Sequence, residues 1–239
     1  MINSVRNTVL AIINKNNYGY ISPSDFDLFA KQAQLDIFDE YFIQYNQQIN
    51  EENARVSGTG YADIKLGYEE VIDTFAETKT LTQNVGNIYY LPSQSTTGDD
   101  YYLINKILCY QGGVLQGEAE KVSLSRIDLL NKSLLTSPSL QYPAYTQKGD
   151  SVTIYPSTIN GALDVQATYI RYPLDPKWTY VTLYNGEPLF DQTQSDYQDF
   201  ELPVDDTNNL VVRILQYAGI SIREADVYQF GSIEEQKEN

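Results

Sequence analysis

Apolar residues recur at helical spacing from Ser22 to Asn50, and no glycine or proline follows Pro23 until Gly58. At 100° per residue, Phe26, Phe29, Ala30, Ala33, Ile37 and Tyr41 share one face. Leu28, Leu35, Phe38, Phe42, Tyr45 and Ile49 cover an adjoining face, leaving only a polar strip with Asp25, Gln32, Asp36 and Asp39. Ser22 before Pro23, with Asp25 three residues on, reads as the helix start. The hydroxyl takes an orphan amide, the ring suits the first helical position, and the acid favours the positive end of the dipole. A helix apolar over so wide an arc must be covered on more than one side. Either it is the central helix of one domain, or a neighbouring subunit covers its second face. On the latter reading the first face supplies the intramolecular core, and Leu35, Phe42 and Ile49 are the expected subunit-boundary residues.

Shorter helical patterns flank this one. Val5, Val9, Ile12 and Ile13 predict a first helix near 5–15, started by Asn3 or Ser4; Ile64, Tyr68, Val71, Ile72 and Phe75 predict a third near 61–78. Ser125-Arg-Ile-Asp128 reads as a capping box opening a short helix with Ile127, Leu130 and Leu134 inward. Leu210, Val211, Ile214, Leu215 and Ala218 predict the last core helix, 207–219, capped by Thr207 or Asn208 and closed by Gly219. Elsewhere the period drops to two. Thr80–Leu91, Tyr101–Tyr110, Ser151–Pro156, Ala162–Tyr172 and Trp178–Tyr184 read as strands, Pro92–Asp100 as a mobile loop and Thr136–Gly149 as an extended link. The predicted class is α+β: a helical core with long antiparallel helices, an inserted β-rich region, and a C-terminal helix and arm. Residues 1–80 form the N-terminal part of the helical core, 81–204 the β-rich region with one short helix, and 205–239 the core helix and arm, all in one structural unit.

Charge narrows the chemistry. The 239 residues carry 16 Lys and Arg against 32 Asp and Glu, a net charge of −16. Proteins that grip nucleic acid do so with clustered cations, which this balance argues against, although an acidic wall lets DNA slide past by repulsion. The absence of histidine excludes Ser-His-Asp and Cys-His catalysis and any histidine metal site. Cys109 is the sole cysteine, so no disulfide forms within the chain, and its thiol reads as a small buried hydrophobe. Asn14–Asp25 has the helix, loop and helix layout of an EF-hand with Gly19 at position six. Yet Asn14, Tyr18 and Asp25 stand where that loop needs Asp, an oxygen ligand and a bidentate Glu, so a tight glycine turn is expected instead. Glu69-Glu70, Asp99-Asp100 and Asp205-Asp206 read as surface carboxylates, and Asn185–Asp206, with seven acids and no Lys or Arg, as a solvated acidic surface. No signal peptide or membrane-spanning stretch is visible, which predicts a soluble protein, intracellular until assembly or release. Composition thus favours a non-enzymatic structural or interaction protein without cofactor or metal.

Beyond Gly219 the chain is less apolar. Ile222, Val227, Tyr228 and Phe230 still recur every few residues, enough for one side of a short helix or extended arm to enter a groove, with Arg223 available to a carboxylate. The alternative is a frayed terminus.

Several stretches resemble the head-to-tail adaptor (connector) proteins of short-tailed phages, most closely ring protein 1 of crAss-like phages. They are Asn14-Lys-Asn-Asn-Tyr-Gly-Tyr-Ile-Ser-Pro23 with Phe26 and Ala33-Gln34; Ile154-Tyr-Pro156 with Tyr169-Ile-Arg-Tyr-Pro173 and Trp178; Phe200-Glu-Leu-Pro203; and Leu215-Gln-Tyr-Ala-Gly-Ile220 with Arg223. The resemblance implies a virion protein of the tail or neck, held in the host cytoplasm during assembly. It implies a homo-oligomeric ring, usually a dodecamer, that binds the portal protein and the next tail ring or tail hub. DNA passes through its centre without specific binding, no membrane is involved, and Ile222, Arg223, Val227, Tyr228 and Phe230 become the portal-binding candidates. The rival within a virion is a tail-associated carbohydrate- or host-receptor-binding protein, supported by the 21 tyrosines and the loop Pro92–Asp100. A small enzyme using paired acids is the other rival, with no substrate indicated. The charge balance makes one prediction: a purified ring of this chain releases DNA at physiological salt, and retention in a mobility-shift assay would contradict an acidic conduit.

Overall fold

The computed structural model describes residues 1–15, 20–54 and 62–222. In chain order these form α1 (Ile2–Lys15), α2 (Pro23–Ala54), α3 (Ala62–Asp73), β1 (Ala76–Thr80), β2 (Gln83–Val85), β3 (Ile88–Tyr90), β4 (Tyr101–Gln111) and β5 (Val114–Lys121). There follow α4 (Leu124–Leu130), β6 (Ala144–Lys148), β7 (Ser151–Tyr155), β8 (Val165–Arg171), β9 (Tyr180–Thr182), β10 (Pro188–Phe190), a 3-10 turn at Val204–Asp206 and α5 (Thr207–Ile222). Two compact units result: one from the described residues up to Val71 and from Pro173 onward, the other from Ile72–Tyr172.

The first unit is organised on α2. Ser22 starts it as its chemistry requires: the Asp25 N–H donates to Ser22 Oγ at 3.2 Å, and the Ser22 hydroxyl donates to the Asp25 carboxylate at 2.6 Å. Phe26, Ala30, Ala33, Ile37 and Tyr41 are buried, as are Ile2, Val5, Val9 and Ile13 of α1 and Leu210, Ile214, Leu215 and Ala218 of α5. The adjoining face of α2 divides. Phe38 is buried, Leu35, Phe42 and Tyr45 are half-buried, and Leu28 stays 63% exposed.

The second unit is a mixed sheet in the order β1-β8-β4-β5-β6-β7-β3-β2. Its two edge strands are consecutive in the chain and joined only by Leu81-Thr82, so the sheet has to curl. Leu81 N–H donates to Val165 O and Tyr90 N–H to Thr82 O, both at 2.9 Å, tying the corner to opposite ends of the strand order. β5 makes a second corner: it pairs antiparallel with β4 up to Ala119, then parallel with β6 at Glu120 and Lys121. The concave side buries Leu81, Tyr89, Ile107, Cys109, Val152, Ile154, Val165, Ala167 and Tyr169.

This overturns the helical core with long antiparallel helices predicted above. The main feature is a curled eight-stranded half-barrel; apart from the 32-residue α2, the described helices have 7–16 residues. A sheet that curls on itself fills its own concave side and needs no helical layer to bury it. Further differences follow from local chemistry. The third helix ends at Asp73 rather than near 78, because Ala76–Thr80 pairs with Ile170–Gln166. Thr80–Leu91 is broken at the Leu81-Thr82 corner and again at Gly86, whose φ of 58° makes a hairpin turn. The supposed link Thr136–Gly149 contains β6, where Ala144, Tyr145 and Thr146 are buried in succession and so show no alternation. Of Trp178–Tyr184 only Tyr180–Thr182 is a strand. Ser123, not Ser125, caps α4, accepting from the Arg126 N–H at 3.4 Å, and Leu134, predicted inward, is wholly exposed. α5 runs through Gly219 to Ile222.

Gly117 of β5 is required by packing rather than by φ. A Cβ there would lie 2.7 Å from Gln141 O and 3.2 Å from Pro143 Cδ, where the chain returns over the strand. Gly117→Ala is expected to destabilise the fold by roughly 1–3 kcal/mol, read from urea unfolding, because backbone has to move to admit the methyl group.

Candidate functional site

The side chains that do the most specific work lie in the first unit, where the largely irregular segment Pro173–Pro203 packs against α1 and α2. Gln34, 1% exposed, uses both ends of its amide: Nε2 donates to Leu174 O at 2.8 Å, and Oε1 accepts the Glu201 N–H at 3.1 Å. Asp27 Oδ1 accepts the Trp178 N–H at 2.8 Å, and Trp178 Nε1 donates to Asn3 Oδ1 at 3.0 Å. The Arg6 guanidinium lies 3.8 Å from the centroid of the Trp178 ring and 5.9 Å from that of Phe26. Burial lowers the Arg6 pKa against the pull of Tyr20 and Asp27, so the ring faces supply part of the solvation that water has lost. Burial likewise raises the Asp27 pKa, opposed by the Trp178 N–H and by Lys177. Asp199 accepts the Ile2 N–H at 2.7 Å, the Phe200 N–H at 2.9 Å and the chain's amino group at 2.6 Å.

A second set joins α2 to α5 and the turn before it. Tyr41 donates to Asp206, Tyr217 to Asp36, and Arg213 pairs with Glu40. Burial, reinforced by Asp206, raises the Tyr41 pKa; burial and Asp36 push Tyr217 up to about 12. Both phenols therefore stay protonated donors at neutral pH.

Leu35 and Phe42, proposed for a subunit boundary, lie half-buried seven residues apart on α2, and Phe42 meets Phe38 edge to face at 5.1 Å. Ile49 lies on the same helix, its side chain outside the described residues. Ile222 is the last residue of α5; Arg223, Val227, Tyr228 and Phe230 lie outside the described residues. The EF-hand-like loop falls partly outside them too, and the Asp25 carboxylate is engaged by Ser22. Among the described residues no three His, Cys, Asp or Glu side chains gather as metal ligands, and no helix is long and apolar enough to cross a membrane.

Asp99, Asp100 and the loop Pro92–Asp100 have structural partners. Asp99 accepts from Lys79, Asp100 Oδ1 accepts the Gln94 N–H at 2.8 Å, and Thr96 Oγ1 caps the Ser93 N–H at 3.0 Å. Cys109 is buried in the sheet, and burial, with Asp164 nearby, pushes its thiol up to about 12. Sequence reasoning missed Gln34, Asp27 and Arg6 as organising residues. Their signal was faint: polar side chains next to, or within, the apolar faces of α1 and α2. No protein-family model matches the chain, and no curated protein matches it.

Asp199 gives a pH prediction. Burial pushes its pKa up, but the chain's amino group and the N–H groups of Ile2 and Phe200 outweigh that and leave it below the usual carboxylate value. A depressed folded pKa means stability that is present above the unfolded value and lost as pH falls through the folded one. Asp199→Asn is therefore expected to cost on the order of 1–2 kcal/mol at pH 7, with the difference from wild type shrinking between pH 5 and pH 3, read from denaturation midpoints.

Proposed function

We propose that the chain is a head-to-tail adaptor of a short-tailed bacteriophage: a ring of identical copies that joins the portal to the next tail ring or hub and surrounds the DNA conduit. The observation that carries this reading is where the resemblance residues sit. Ala33-Gln34, Trp178, Phe200-Glu-Leu-Pro203 and Leu215-Gln-Tyr-Ala-Gly219 belong to one unit, and its specific contacts run through them: Gln34 to Leu174 and Glu201, Trp178 to Asp27, Tyr217 to Asp36. Phe200, Leu202, Leu215 and Ala218 are buried there. Ile154 and Tyr169, from the remaining motif, are core residues of the sheet unit. Motifs that resemble a family and also carry the packing imply a shared scaffold more strongly than the same residues scattered over a surface would. An adaptor needs such a scaffold and needs no chemistry from it. The acidic excess suits a channel that lets DNA pass, and the half-buried stripe Leu35 and Phe42 suits a helix that neighbours complete.

The portal contact falls to the residues from Ile222 onward, Arg223, Val227, Tyr228 and Phe230 among them, whose recurring apolar side chains are able to enter a groove while Arg223 meets a carboxylate. α5 continues through Gly219, so the informative truncation ends at Ile222. The shortened chain is expected to keep the circular dichroism of the parent and to lose co-sedimentation with cognate portal rings. Undiminished binding would move the portal contact to another surface. Native mass spectrometry of the full chain with the portal tests the ring itself, and a strict monomer under those conditions would refute the adaptor reading.

A further inference from the structure

α4 and the chain that follows it, Leu124–Tyr142, form an arm on the sheet unit: Ile127, Leu130 and Leu140 pack inward, while other apolar side chains of the arm face solvent. Leu134 is 100% exposed and Leu135 is 97% exposed; Leu129 and Tyr142 are mostly exposed as well. Successive turns hold the pair outward rather than letting it collapse. Ser133 N–H donates to Leu130 O, Ser137 N–H to Ser133 O at 2.9 Å, and Thr136 Oγ1 to Leu130 O. The return leg is fastened by the Ser139–Tyr142 hydrogen bonds and by the close approach of Gln141 to Gly117. Between arm and sheet lies an open cleft of about 570 Å³, with Val122, Leu130, Leu134, Leu135 and Tyr142 on its walls and Glu118, Glu120 and Arg126 among its polar residues. A hydrogen-bonded turn that displays two adjacent leucines has no purpose within the monomer that the packing reveals.

We infer that the Leu134-Leu135 arm docks on a second copy of this chain, in a head-to-tail contact. This rests on the ring reading above and assigns it a surface. Exposed apolar surface is the first argument: Leu134, Leu135 and Tyr142 stand largely in solvent on the walls of one cleft, with Leu124 and Leu129 exposed on the helix that leads to it, and large apolar side chains displayed together are what the centre of an interface buries. Charge is the second. Leu124–Tyr142 carries Arg126 and Lys132 against Asp128 alone, +1, while the rest of the chain carries −17. Copies of so acidic a protein repel one another, and the arm is where they approach with least repulsion. Arm against arm would set like charges together, whereas arm against the remaining surface sets opposite ones together. That selects the heterologous contact, the geometry that closes rings.

The experiment is sedimentation velocity and native mass spectrometry on the full chain over a concentration series, for wild type, Leu134→Ser with Leu135→Ser, and Lys132→Glu. Both leucines are solvent-exposed in the monomer, so the double variant is expected to keep the wild-type circular dichroism. It is expected to weaken self-association roughly 100-fold or more. Lys132→Glu changes one exposed charge, weakens association less, and serves should the double variant fail to fold. Wild-type association left intact by both variants overturns the arm and leaves the ring reading standing. A wild type that forms dimers and nothing larger overturns the head-to-tail geometry. A wild type that is monomeric throughout overturns the inference, and the mass measurement with portal then judges the adaptor reading separately.

Discussion

A backbone that packs beside helices without being helix or strand must find its hydrogen-bond partners in side chains, or leave buried amides unpaired at a cost of about 1–3 kcal/mol each. Outside the short β9–β10 hairpin and the Lys177–Gln198 bridge, Pro173–Pro203 lives under that constraint, and the first unit is arranged to meet it. Gln34 serves two backbone groups, Leu174 C=O and Glu201 N–H, with one side chain. Asp27 serves Trp178, and Asp199 serves both its neighbour Phe200 and the start of α1. Gln34 and Asp27 are fixed on α2, so the segment inherits their positions. Covering α2 on more than one side is thereby done partly by a chain that has little regular structure of its own beyond the short β9–β10 hairpin.

How much of this is legible in the sequence depends on whether a signal is local. The start of α2 at Ser22-Pro23, its buried face from Phe26 to Tyr41, and the alternation of Val165, Ala167 and Tyr169 are all visible, because capping and period are properties of neighbouring residues. The curl of the sheet is not. Nothing in Thr80-Leu-Thr82 announces that β1 and β2 will be opposite edges of one sheet, a fact fixed by pairings with Val165 and Tyr90 far along the chain. β6 escaped because both its faces are covered, which erases alternation. Helical spacing places Leu134 inward, but the chain abandons that spacing after Leu130. Gly219 reads as a stop because glycine favours helix ends, although a helix whose packing is already secured tolerates it inside. For the candidate site, the apolar stripe of α2 was legible and the clamps were not: a glutamine beside a helix's core face looks the same whether its amide meets water or two backbone groups.

The acidic composition looks different once the partners are known. Sixteen excess carboxylates read at first as a solvated exterior. Yet Asp36, Asp99, Asp199 and Asp206 accept hydrogen bonds from Tyr217, Lys79, backbone amides and Tyr41. Tyrosine is the recurring donor. It lets an acid be buried at a helix contact without spending one of the few cations, and the resulting bond keeps the phenol protonated. The abundance of tyrosine, which first suggested a sugar-stacking surface, thus has a structural use in at least part of its number.

That use bears on assembly. With acids engaged in holding the unit together, the charge left to the exterior is still strongly negative, and a ring would place many such exteriors side by side. Screening at physiological salt shortens the repulsion to about 8 Å but does not remove it at a contact. Any surface through which copies meet must then combine apolar area with a local charge that is neutral or positive. The half-buried stripe on α2 has apolar area but shares its helix with Asp36, Asp39 and Glu40, of which Asp36 and Glu40 are already engaged by α5. The arm after α4 has apolar area and an excess of cations at the same place. Desolvating leucine beside lysine costs less than desolvating it beside an unpaired carboxylate, so the two surfaces are not equivalent. On the ring reading the arm makes the first contact, and the α2 stripe is covered only by what that contact brings near.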